Sequence, residues 1–178
     1  MRLKYPGEMN KEKRQYDINL SAMDDGEHTY SYKLSQAFFD MFGYDEFDKA
    51  EIDVKVVVLK SGNMMDIKMQ SEGSVELPDD RTGHLYRQRV TGDLQFILKY
   101  GEMFNDDNDE LIIIPFNQPL FNLAQPIYEM TVLSVPMKHL DPDYEEPVQE
   151  EEKPVKDIDP RWEKLKELKN KLENNKTK

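Results

Sequence analysis

The chain has no cysteine. That one absence removes disulfides, thiolate nucleophiles and thiolate-held zinc or iron–sulfur centres. It also fits a reducing compartment. Histidine is scarce, with only His28, His84 and His139. None has another His or a carboxylate at the spacing that a metal-binding helix uses in a strong context. The eight glycines are scattered, so no Gly-rich loop cradles a phosphate, and no nucleophile elbow is present. No apolar run approaches the roughly 20 residues that span a bilayer. Residues 1–8 (MRLKYPGE) lack the apolar core of a secretory signal. The expected location is the cytoplasm, away from membranes.

Positive charge is also in short supply. Lys and Arg total 24 against 36 Asp and Glu, a net charge of -12. Acids this common form pairs everywhere, so paired carboxylates carry no message about acid–base catalysis. The charge keeps a protein soluble and opposes non-specific binding to phosphate backbones. It favours basic partners. These features together lead us to expect a protein without cofactor that is not an enzyme.

What is present is a long period-two pattern over residues 50–100. Ile52, Val54, Val56 and Val58 alternate with polar residues. Met65, Ile67, Met69, Val75 and Leu77 do the same, and so do Val90, Leu94, Phe96, Leu98 and Tyr100. Such alternation marks strands with one buried and one wet face. Ser61-Gly62-Asn63 reads as a tight turn between the first two. The expected fold class is therefore α+β, an antiparallel meander whose apolar face is covered by one or two helices.

The rest of the chain supplies that cover. Short strands are expected at residues 2–5 and 16–20, with a turn at Asp24-Asp25-Gly26. Leu34, Phe38, Phe39 and Phe42 lie at helical spacing, with Ser35 as cap and Gly43 as stop. These aromatics read as core. An aromatic platform for stacking bases is the weaker reading, because Asp40, Asp45, Glu46 and Asp48 surround them. Residues 105–110 (NDDNDE) resemble a calcium loop in density of oxygen only. They lack the Gly and the distal Glu of that pattern, and a solvated acidic loop is expected. Residues 111–114 read as a buried strand ended by Pro115. A buried helix follows, started by Asn122, with Pro126 in its first turn and Pro136 after it.

Beyond residue 140 the character changes. Residues 1–140 read as one α+β domain, and residues 141–158 as an acidic, Pro- and Glu-rich flexible linker. Residues 159–178 read as a basic C-terminal helix opened by Asp159 and Pro160. Its apolar stripe is Trp162, Leu165, Leu168 and Leu172. A short helix of this kind needs a surface. Two remain open: its own domain, as a latch, or a partner.

Three ordered segments resemble the YceD family of large ribosomal RNA subunit accumulation proteins. The first is Glu76-Leu77-Pro78-Asp79-Asp80-Arg81-Thr82, where the family has a strand ending in Cys-x-Arg-Cys. The second runs from Phe121-Asn122-Leu123 through Glu129 to Leu133-Ser134-Val135-Pro136. The third is Asp159-Pro160-Arg161-Trp162 with Leu165 and Leu168. The opening Leu3-Lys4-Tyr5-Pro6 is similar to the variant in Bacteroidetes-type bacteria.

The resemblance implies a role in accumulating large-subunit ribosomal RNA, through a basic ribosomal protein or precursor ribosomal RNA as partner. The alternative is an acidic protein-binding module unrelated to RNA. It also implies candidate binding residues Asp79, Asp80, Arg81, Arg161 and Trp162. Family accounts include metal binding. Here Asp79 and Thr82 stand at the two Cys positions, and a carboxylate with a hydroxyl replaces thiolates poorly at zinc, so no metal is expected. Arg81 has two readings. It can bind a phosphate or carboxylate with its planar fork, or it can anchor its own turn through Asp79 or Asp80.

Overall fold

The computed structural model describes residues 11–108 and 110–144. The expected strand at residues 2–5, the linker beyond Tyr144 and the terminal helix with Arg161 and Trp162 lie outside these residues. One compact unit ends at Asp143.

The three predicted strands form as read. They are β3 (Lys49–Ser61), β4 (Met64–Pro78) and β5 (Leu85–Gly101). Their apolar positions are buried in strict alternation, from Ile52 and Val56 to Ile67, Leu77 and Leu98. Gly62 takes the positive φ that the β3–β4 turn requires. The sheet is larger than the meander, however. It has six strands in the order β2-β3-β4-β5-β7-β6. Strand β2 (Gly26–Ser35) pairs antiparallel with β3 along its whole length. Its alternation of His28, Tyr30, Tyr32 and Leu34 with Glu27, Thr29, Ser31 and Lys33 is a strand pattern.

The second correction is at the other edge. Residues 105–108 are not a loop but strand β6 (Asn105–Asn108), and β7 (Leu111–Pro115) lies between β6 and β5. Because β6 intervenes in the chain, β7 runs parallel to β5, and the sheet is mixed rather than a pure meander. The reason lies in the side chains. The apolar β7 buries Ile112 and Ile114 and takes the interior slot. The polar β6 is left at the edge, where exposed charge guards against further pairing.

Two short helices and a second small sheet close the apolar face. Helix α1 (Gln36–Asp40) packs on β2 and β3, and α2 (Ala124–Leu133) packs on β4 and β5. Leu34 belongs to β2, not to the helix. Ser35 occupies the N-cap position of α1 without a side-chain cap bond. Gly43 follows α1 with φ 69°. Phe38 and Phe39 are fully buried. Phe42 stacks on Tyr128 at 4.3 Å, and Lys13 Nζ sits 3.5 Å from the Phe42 ring centre. Both Phe42 faces are thus occupied, which leaves no platform for a base. Burial, then Tyr30, Tyr16 and Asp17, push the neighbouring Tyr32 phenol up to about 12.

A 3-10 turn (Lys11–Tyr16) precedes β1 (Asp17–Asn19), which pairs with β8 (Leu120–Asn122). Asn122 joins three pieces. Its Nδ2 donates to Lys13 O and Asp17 Oδ1, and its Oδ1 accepts from Ala124 N at 3.0 Å. It therefore caps α2 from one residue before the N-cap, Leu123. The helix is not buried on every side, because Leu133 is exposed.

Two glycines permit close approach in the sheet. A Cβ on Gly73 would meet Glu51 O at 2.2 Å and Ile52 Cα at 2.6 Å, both backbone atoms of the paired strand. A Cβ on Gly92 would meet Ser134 Oγ at 2.2 Å, a side-chain atom that can rotate. Gly73→Ala is therefore expected to cost about 3 kcal/mol. Gly92→Ala should cost about 1 kcal/mol or less, because the entropy lost from the unfolded chain partly offsets the strain. Urea unfolding of the two variants checks this. Equal losses would contradict the backbone pinch at Gly73.

Candidate functional site

The β4–β5 connection is built around one carboxylate. Asp79 is 2% exposed, and its two oxygens accept five hydrogen bonds. Oδ1 takes Arg81 N at 2.8 Å, Thr82 N at 3.0 Å and Thr82 Oγ1 at 3.2 Å. Oδ2 takes Arg81 Nη2 at 3.0 Å and Asp141 N at 2.7 Å. The first three bonds are a local consequence of sequence. An Asp followed two and three residues later by backbone N–H groups folds into an Asx turn. Gly83, at φ 72°, then reverses the chain, and its N–H donates to Asp79 O.

The other contacts are long-range. The Arg81 guanidinium spans from Asp79 Oδ2 to Asp141 O, each at 3.0 Å. Asp80 N donates to His139 O, and His139 N donates to Asp80 Oδ2, both at 2.8 Å. The loop thus grips the backbone at His139 and Asp141. A buried carboxylate requires this number of donors, since an unpaired one would be expelled to solvent or protonated. The Arg81 guanidinium, then the Asp141 amide, hold the Asp79 carboxyl well below the usual carboxylate range, against the opposing effect of burial.

Of the five residues proposed from sequence, Asp79, Asp80 and Arg81 come together here. The turn-anchoring reading of Arg81 is the observed one, with Asp79 rather than Asp80 as its partner. Arg161 and Trp162 lie outside the described residues. Sequence reasoning missed His139 and Asp141, whose bonds to the loop are made by backbone groups and so leave no mark on residue type. Asp79 and Thr82, the two positions that the resemblance sets against cysteines, are hydrogen-bonded to one another. All of the Asp79 bonds are thus directed inward. Among the described residues no group of three or more His, Asp or Glu is arranged to hold a metal.

A second surface feature is the wet face of the sheet. An open groove of about 750 Å³ crosses β2 to β5, lined by Lys33, Asp53, Lys55, Gln70, Glu72 and Asp93 among others. Its charges are largely neutralised across strands. Lys33 pairs with Asp53 at 3.6 Å and Arg89 with Glu72 at 2.6 Å. Next to it, Arg87 bonds both Glu51 at 2.9 Å and Ser74 Oγ at 2.6 Å. Exposed pairs of this kind add little stability. They remove the net field that would draw a polyanion.

Comparison with known proteins bears on this loop directly. A family model described as "Large ribosomal RNA subunit accumulation protein YceD" matches residues 67–169, more than half of the 178-residue chain. The match takes in β4 from Ile67 onward, the Asp79 loop, α2 and the segment the loop grips. No curated protein and no solved structure matches the chain.

The low folded-state pKa of Asp79 has a signed consequence. The unfolded value is higher, about 3.9, so the carboxylate stabilises the fold fully above that pH and ceases to as pH falls through the folded-state value. Asp79→Asn keeps the shape but loses the charge-assisted bonds, and should lower Tm by roughly 5 °C or more near pH 7. The gap between wild type and variant should narrow as pH falls below about 4. Thermal melts across that range test it. A gap independent of pH would show that the Asp79 charge is not what stabilises the loop.

Proposed function

This chain belongs to the YceD family, the large ribosomal RNA subunit accumulation proteins, and from that premise we propose that it is a non-enzymatic factor in assembly of the large ribosomal subunit. On this reading it acts by binding, either to a basic ribosomal protein or to precursor ribosomal RNA, in the cytoplasm. The observation that carries the proposal is the family match across residues 67–169, which includes the whole Asp79 loop and what it holds. The surface is in keeping with binding to a protein. The net charge of -12 repels phosphate and attracts basic chains, and the cations of the sheet face are mostly paired with acids. Among the described residues no helix is long and apolar enough to cross a membrane.

Depletion of the protein in its own cells, followed by sedimentation of ribosomes on a gradient, tests the role. The expected result is a deficit of large subunits and of their RNA relative to small subunits. Unchanged large-subunit levels would remove the proposal.

A further inference from the structure

The segment that the Asp79 loop grips carries apolar side chains with no cover. Leu133, at the end of α2, is 83% exposed, Met137 is 100% exposed and Leu140 is 44% exposed. One exposed apolar side chain is ordinary. Three within eight residues of a backbone held at both ends are not. At one end Ser134 Oγ donates to Met130 O and lies against the backbone of Gly92, and Val135 packs on the core. At the other end Asp80 and His139 exchange two hydrogen bonds, while Asp141 is bonded to both Asp79 and Arg81.

The strip is thus ordered before any ligand arrives. A ligand docking on it need not pay for ordering this backbone, which is the advantage of preorganisation. Among the described residues the charge around it is mostly negative. From Glu129 to Asp143 the chain holds three acids against one base, Lys138, and the loop contributes the exposed Asp80. Such surroundings repel a phosphate backbone or an anionic lipid surface. They attract a chain that is cationic, and the apolar side chains require that chain to bring apolar groups of its own.

We propose that residues 133–140 are a docking strip for a protein segment that presents apolar side chains among Lys and Arg, and that the Asp79 loop serves to hold this strip in its receiving form. The inference rests on the reading above that the protein works by binding a basic partner, and it names the surface and the chemistry of that partner.

The test uses the full chain and two labelled peptides of about 18 residues, long enough for a helix to form on a surface. One is built of Leu and Lys with all Leu on one side. The other has the same Lys and Ser in place of Leu. Fluorescence anisotropy in about 0.15 M salt, where long-range attraction is screened, should show the Leu-containing peptide binding at least about tenfold more tightly. The double variant Leu133→Ser, Met137→Ser changes only exposed side chains. It should melt as the wild type does and lose that preference. Asp80→Ala, which removes one of the bonds holding the end of the strip and leaves the buried carboxylate alone, should weaken binding a few-fold.

Equal binding of the two peptides would reduce the surface to bulk charge and overturn the proposal. So would a double variant that keeps the preference, or a single-stranded oligouridylate that displaces the peptide from the strip. A wild-type dimer that the double variant abolishes would reassign the strip to self-association. The two readings separate cleanly. Normal ribosomes after depletion would sink the assembly role while leaving the peptide result standing. Full rescue of depleted cells by the double variant would sink the strip's part in that role.

Discussion

One buried carboxylate organises the end of the sheet where β4 turns into β5. Asp79 sits where water does not reach it and is kept charged by five donors from three residues. A buried charge tolerates no partial solution, because each missing donor leaves a cost that apolar packing cannot repair. The turn, the Arg81 side chain and the residues after α2 must therefore be in place together. That is why a hairpin connection and a segment some sixty positions later behave as one structural piece (Asp79 and Asp141 differ by 62 in sequence).

The same turn is held without sulfur. At the two positions that the resemblance sets against cysteines, a carboxylate and a hydroxyl bond to each other across the turn. Arg81 and the turn backbone supply the other local donors. The turn depends on a short-range acceptor at the first position and donors at the third and fourth.

Legibility in the sequence followed the range of the interaction. Strands β3, β4 and β5 were readable because alternation over many residues is a local signal, and the Gly62 turn with them. Strand β2 carries the same alternation from His28 to Leu34, yet the helical spacing of Leu34 with Phe38 drew that residue to the wrong element. Strand β6 was unreadable, since Asn and Asp are poor strand formers and only the apolar β7 beside it holds it in the sheet. The Asp79–Arg81 pair was legible as one of two options. The grip on His139 and Asp141 was not, because backbone amides belong to every residue. The exposed strip was hidden for a related reason. Leu133 follows directly on the buried Thr131 and half-buried Val132 of α2, and composition alone assigns it to the core.

The small sheet of β1 and β8 has a bearing on the order in which the molecule is made. Asp17 and Asn122 face each other across 105 positions of sequence. Closing so long a loop is slow, and it has to await the arrival of its distal half. During synthesis β2 to β5 can zip by successive hairpins as they emerge. Residues 17–19 have no partner until residues 120–122 have appeared. Residues 17–19, translated ahead of β2, are thus among the last to be seated. A chain interrupted before residue 120 would present the apolar face of its sheet with α2 absent, the kind of surface that chaperones retain and proteases remove.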